Sequence, residues 1–380
     1  MVVTVPVYAA RRSWTSTANK MSLEPSAARA RRDWLALGLA GLFGLPGVAR
    51  AVASPGLSAA GASFPSKVYQ RWAAQYAQLQ GVAVDYRPTG SGDGVKRAIA
   101  RQLPLAGTDA PLQPSELARH RLLQLPTLVG GIVPVVNLPG LTDHPLRLTG
   151  PLLADILRGE VDRWDDARIA ELNRGLSLPS RRITRVVRSD KSGTTEGLTR
   201  YLSAVSPVFR AGPGESAQPA WPGAVEAAAG NDGVAALLRN TPGAITYVSH
   251  DRVMADGLSG VVLQNRHGAW VASSEAGFRA AILNSALYRE GDDLASLMDR
   301  PGADSWPITM TSFWLIDAQP ADAAQVEAAL RFMWWCFMKG DALTKGTGFA
   351  PLPVAVQAKL AARLSTVVPR SGPRPDFQRY

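Results

Sequence analysis

Three times along this chain an apolar, strand-like run ends in a turn of small residues and passes directly into residues at helical spacing. The first is Leu57-Ser58-Ala59-Ala60-Gly61-Ala62-Ser63-Phe64-Pro65, followed by Val68, Trp72, Tyr76 and Leu79. Pro65 suits a first helical turn, and Ser63 is placed to cap that helix or to present its hydroxyl beside it. The second runs from residues 82–86 through Thr89-Gly90-Ser91-Gly92-Asp93-Gly94 into Val95, Ala98 and Ile99. The third runs from residues 183–188 through Ser189-Asp190-Lys191-Ser192-Gly193-Thr194-Thr195 into Leu198, Tyr201 and Leu202. Glycines after a strand let the backbone approach a ligand closely, and a helix start aims free N–H groups and the positive end of its dipole at it. The pattern predicts an α/β protein whose strand ends can hold an anion.

The third junction carries the most chemistry. Arg188 and Lys191 lie near a helix N-terminus, where the dipole disfavours a cation by a few tenths to about 1 kcal/mol. An oxyanion bound between them reverses that penalty. Arg188 can grip it bidentately, while Ser192, the Gly193 N–H and Thr194 donate around it. Taken alone, a solvated turn with exposed basic residues explains this segment as well, but three such segments in one chain weigh against that. A fourth piece, Ala106-Gly107-Thr108-Asp109-Ala110-Pro111, sets Asp109 at a strand end, where a lone Asp is most often a cap or turn residue. Gly90-x-Gly92-x-Gly94 lacks the spacing of the dinucleotide fingerprint, and GxxxxGK[ST] is absent, so nucleotide binding loses its best support.

Composition removes other classes. With 380 residues, 46% of them hydrophobic, the chain can bury a real core in two or three domains. A single cysteine, Cys336, cannot close an internal disulfide, and four scattered histidines offer no zinc spacing, so no metal is expected. The net charge is +10, but residues 1–53 carry seven Lys/Arg against two acids, which leaves +5 spread over the remainder. No dense basic stripe with interleaved aromatics points to nucleic acid.

Residues 1–53 read as an export signal. Arg29, Arg31 and Arg32 precede an apolar run over residues 34–49, and Ala49-Arg50-Ala51 or Ala51-Val52-Ala53 offers a cleavage site. The run is too short and too often broken by Gly and Pro for a membrane anchor. Arg31-Arg32-Asp33-Trp34-Leu35 resembles the twin-arginine motif, and an ordinary secretory signal with two chance arginines fits equally. Met21 offers a second start. No cysteine stands near the cleavage site, so the expected product is a periplasmic protein and not a lipoprotein.

Gly61-Ala62-Ser63-Phe64-Pro65, Gly90-Ser91-Gly92-Asp93-Gly94-Val95-Lys96, Gly107-Thr108-Asp109-Ala110-Pro111 and Arg188-Ser189-Asp190-Lys191-Ser192-Gly193-Thr194, in this order, closely resemble the periplasmic phosphate-binding proteins of the high-affinity phosphate ABC transporter, the Pst system. The similarity extends through Trp164-Asp165-Asp166, Gly230-Asn231-Asp232-Gly233, residues 242–248 and Trp306-Pro307-Ile308-Thr309. The resemblance implies phosphate ligands at the Ser63 hydroxyl, the Phe64 N–H, Ser91, Asp109, Arg188, Ser192, Gly193 and Thr194, with Asp190 orienting the arginine. Ser63 stands where the family usually has Thr, Gly92 where a second Ser is common, and Lys191 where Gly is usual.

It further implies an α/β, two-lobed periplasmic binding protein fold of type II, with the ligand cleft between lobes joined by two crossings. Lobe I would comprise residues 54–134 plus 307–380, and lobe II residues 135–306. The expected protein is a monomer that binds inorganic phosphate and delivers it to the inner-membrane permease, with no cofactor and no catalytic residue. A secreted phosphatase-like protein of similar fold, or a receptor for another tetrahedral oxyanion, are the alternatives. Residues 326–338 read as a core helix with Cys336 buried in it. The Pro- and Arg-rich tail, residues 369–380, reads as mobile.

Overall fold

The computed structural model describes residues 56–141, 144–292 and 294–378, all within the compact unit Val52–Tyr380. The export-signal reading of residues 1–53 lies outside the described residues. The described residues begin with β1 (Leu57–Gly61), α1 (Ser66–Gln80), β2 (Val84–Arg87), α2 (Ser91–Ile99) and β3 (Leu105–Thr108). Strand β1 lies parallel between β2 and β3, with Ala59 opposite both Tyr86 and Leu105. Parallel strands need a crossover, and α1 and α2 supply it.

Strand β4 (Leu122–Val136) is 15 residues long and buried along nearly its whole length. The second lobe then contributes β5 (Thr184–Arg188), α3 (Gly193–Val205), β6 (Glu226–Ala228), α4 (Gly230–Asn240) and β7 (Ala244–Ser249). Here β5 runs parallel to both β6 and β7. The chain returns through β8 (Thr309–Asp317), α5 (Glu327–Lys339) and β9 (Phe349–Pro351). The first part of β4 pairs antiparallel with β8 and β9, and its last five residues pair with β7. One strand therefore serves the sheets of both lobes, in the order β2-β1-β3-β8-β4-β7-β5-β6.

Trp314 on β8 anchors the core of the first lobe, against Tyr69 and Trp72 of α1 and Phe332 of α5. Such edge and tilted ring pairs add about 1 kcal/mol each beyond burial. Cys336 is buried in α5, as expected, and burial pushes its thiol well above the ordinary value. Trp306 donates from Nε1 to the Ile132 carbonyl at 3.1 Å, fixing the return crossing against β4.

One sequence expectation is corrected, and of the two roles left open for Ser63 one is decided. The tail does not stand free: the Val368 N–H donates to Ala318 and the Arg370 N–H to Pro320, while Phe377 is 5% exposed. One docked aromatic and a run of backbone bonds outweigh a composition that favours disorder. Ser63 does not cap α1 with its side chain; Pro65 holds the cap position, and the Ser63 hydroxyl faces elsewhere.

Candidate functional site

Each of the small-residue turns brings its side chains to one cleft. After β1, Phe64 is buried with its ring edge-on to Phe349 at 5.2 Å, which pins its backbone. The neighbouring Ser63 Oγ accepts a hydrogen bond from Asn231 Nδ2 at 3.1 Å. Gly90 starts α2 with φ of 98°, a conformation that favours glycine, and sets Ser91 at the first helical position. Ser91 Oγ accepts the Asp109 N–H at 3.1 Å and reaches Asp109 Oδ2 at 3.4 Å.

Asp109 follows β3 directly and is 5% exposed. Its Oδ1 accepts from Ser312 Oγ at 2.7 Å. A β-bulge between Ser312 and Phe313 interrupts the β8–β4 register at this point, and bulges re-aim side chains. Burial pushes the Asp109 carboxyl up to about 7, against the opposing pull of the Ser312 hydroxyl, the Arg188 charge and Ser91.

The second lobe answers with cations and donors. Arg188 ends β5 and is buried; its Nε donates to Asp190 Oδ1 at 2.7 Å and its Nη2 to Asp190 Oδ2. Asp190 also accepts the Gly230 N–H at 3.0 Å. Burial works to raise the Asp190 carboxyl, but the hydrogen bonds and charge of Arg188 outweigh it and leave it below the usual range. Tyr247 OH accepts the Arg188 N–H at 3.3 Å and bonds Thr195 Oγ1 at 2.8 Å, tying β5, β7 and α3 together.

At the start of α3, Ser192 is fully buried and its Oγ accepts the Thr195 N–H at 3.1 Å, leaving the hydroxyl hydrogen to donate. Among the described residues, the Gly193 and Thr194 N–H groups donate to no protein acceptor, as expected for the first turn of a helix. Thr194 Oγ1 and Arg188 Nη1 are likewise buried without a protein partner. Buried donors of this kind are costly unless something accepts from them.

The two sets meet face to face. A Cβ on Gly193 would sit 2.6 Å from both Asp109 Cβ and Ser91 Oγ, and one on Gly90 would sit 2.6 Å from Asp190 Oδ2. The lobes are therefore closed on each other. Ser63, Ser91 and Asp109 thus face Asn231, Asp190 and Gly193 at close range, with Asp190 bonded to Arg188. A groove of about 500 Å³ beside Arg147, Asn173 and Trp270 is lined by none of these groups. It is open to solvent and shares no residue with these groups, so size does not mark the site.

Sequence reasoning assigned no role to Asn231, Ser312 or Tyr247. Asn231 lies in the Gly230-Asn231-Asp232-Gly233 segment already noted for its resemblance, and Ser312 is a polar residue in a fully buried stretch of strand, a weak signal that was available. Asp165 and Asp166 are set apart: Asp166 caps a short helix, Ala167–Leu172, through the Arg168 N–H, and Asp165 pairs with Arg163.

A family described as a PBP superfamily domain matches residues 46–337. The phosphate-binding protein PstS of Xylella fastidiosa (strain Temecula1 / ATCC 700964) is 40% identical over 297 residues, covering 78% of this chain and 81% of that protein. The phosphate-binding protein PstS of Pasteurella multocida (strain Pm70) is 37% identical over 315 residues, covering 83% of this chain and 91% of that protein. A crystal structure of a phosphate-binding protein from Stenotrophomonas maltophilia has the same fold, with a TM-score of 0.64 at 20% identity over 82% of this chain and 94% of that one.

Proposed function

Since the chain belongs to the PstS phosphate-binding protein family of the PBP superfamily, we propose that it binds inorganic phosphate in the closed cleft and hands it to the membrane permease of a phosphate ABC transporter. The observation that carries this reading is the pairing of unpartnered buried donors, Arg188 Nη1 and Thr194 Oγ1, with a single buried carboxylate, Asp109. Four phosphate oxygens need many donors, and the one remaining proton needs an acceptor. Ser63, the Phe64 N–H, Ser91, Arg188, Ser192, Gly193 and Thr194 are the donors; Asp109 is the acceptor.

That division gives selectivity. Phosphate near neutral pH still carries a proton, which lies between one of its oxygens and Asp109. Sulfate carries none, so wherever Asp109 is ionised its oxygens meet the carboxylate with no hydrogen between, a buried repulsion that rejects it. Asp190 acts through Arg188: it holds two of the guanidinium nitrogens and leaves Nη1 for the ligand.

Residues 54–134 with 307–380 act as one closing body and residues 135–306 as the other, hinged at the two crossings. The protein works as a periplasmic monomer after removal of its signal and acts as a receptor rather than an enzyme. Calorimetric titration of the phosphate-stripped mature protein with phosphate and then sulfate tests this. Submicromolar phosphate binding with little sulfate binding is the expected result. Absence of phosphate binding, or turnover of a phosphate ester, overturns it.

A further inference from the structure

One residue outward from the buried Ser91 and Ser192, the two walls touch again. The Gly92 N–H donates to the Lys191 carbonyl at 3.1 Å. The Lys191 stem lies directly over Gly92: a Cβ there would sit 2.7 Å from Lys191 Cβ and 2.8 Å from both Cγ and Cδ. Carbon atoms prefer about 3.5–4.0 Å. Gly92 is half-buried and Lys191 exposed, while Ser91 and Ser192 beneath them are buried, so this contact is the outermost layer over the cleft. Lys191 makes no ion pair among the described residues. A lysine beside a helix N-terminus gains nothing from the dipole; here its alkyl stem covers backbone while the ammonium reaches water.

We propose that Lys191 and Gly92 form a matched strap across the rim of the cleft, with Lys191 a positioning residue that slows release of the bound anion. Opening the lobes breaks the hydrogen bond and uncovers Gly92 together, so both contacts are lost before the ligand can leave. The match is steric: the strap requires a residue without a side chain at 92 whenever a stem is present at 191. The proposal rests on the phosphate reading of the cleft.

The test is a double-mutant cycle in the mature protein with Gly92→Ala, Lys191→Gly and the pair, reading release of radiolabelled phosphate into excess unlabelled phosphate. Alanine is the better helix former, so any loss in Gly92→Ala comes from the clash. Gly92→Ala should speed release about tenfold, and the same change in the Lys191→Gly background should do almost nothing. Lys191→Met, which keeps the stem and removes the charge, should release within about twofold of the wild type. Additive effects in the cycle, unchanged release in Gly92→Ala, or a Lys191→Met that behaves as Lys191→Gly would each overturn the strap. If the wild type binds no phosphate, the functional reading fails separately. The radius of gyration of the ligand-free variants then reads the strap, with expansion in Gly92→Ala that the pair reverses supporting it and no expansion overturning it.

Discussion

Asn231 Nδ2 donates to Ser63 Oγ at 3.1 Å, joining the first turn of α4 to the turn after β1 across 168 residues of sequence. Both residues are buried, and Asn231 Oδ1 has no protein partner. Because the Ser63 oxygen accepts from the opposite lobe, its own hydrogen remains to donate to a ligand. Closure and ligand contact thus meet in one hydroxyl.

Replacing Asn231 by Ala removes a bond that exists only when the lobes are shut. A net contribution of about 1 kcal/mol corresponds to phosphate binding weakened about fivefold. Calorimetric titration measures both enthalpy and affinity here, and an unaltered Kd would show that the bond plays no part in the bound form.

Arg188→Lys should be far more damaging than its conserved charge suggests. A point ammonium cannot hold both Asp190 oxygens and still present a separate donor to the ligand. Loss of a buried charge-assisted contact of this kind costs about 2–4 kcal/mol, roughly 30- to 1,000-fold in Kd. Asp190→Asn, which leaves the guanidinium in place but loosens its orientation, should lie between this variant and the wild type.

Asp109 makes the stability of the phosphate-free protein depend on pH. Its carboxyl titrates near 7 in the fold against 3.8 ordinarily, so between those values the folded state holds a proton that the unfolded chain has released. Stability therefore falls as pH rises through this window and levels off above it. Asp251, pushed up to about 6 by burial, acts in the same direction in wild type and variant alike. Melting curves of the wild type should drop by a few degrees between about pH 5 and about pH 8, and Asp109→Asn should lack the Asp109 share of that drop. Parallel curves for the two proteins would contradict the assignment.

Gly193→Ala tests closure itself. Gly193 begins α3 without a positive φ, so the helix tolerates alanine, but the added methyl would meet Asp109 and Ser91 at 2.6 Å. Phosphate affinity should fall by at least about tenfold while thermal stability stays near that of the wild type. An equal loss of both would mean that the clash unfolds the site rather than holding the lobes apart.

Much of this was legible in the sequence because the ligand-facing residues sit on local patterns. Ser91, Arg188 and Ser192 to Thr194 belong to strand-turn-helix junctions whose glycines and caps can be read over ten residues. The supporting residues cannot be read that way. Ser312 reaches Asp109 over 203 residues through a bulge, and no local pattern reports which strand will lie beside β3. Asn231 and Tyr247 are single polar residues whose partners come from other elements. The tail shows the opposite error: its average composition suggested mobility, and one aromatic, Phe377, decides the matter by docking.

Strand β8 lies between β3 and β4, although it is made about 200 residues after the first of them. During synthesis, the lobe that is begun first is therefore completed last. Until Thr309–Asp317 has emerged, β3 and β4 each lack the neighbour that joins them, and Trp314 is missing from the aromatic core it anchors. Such a non-local pairing delays folding of the N-terminal half. The second lobe, whose strands precede β8 in sequence and pair with one another, can therefore order first, and the first lobe's half of the cleft becomes rigid only once β8 is added.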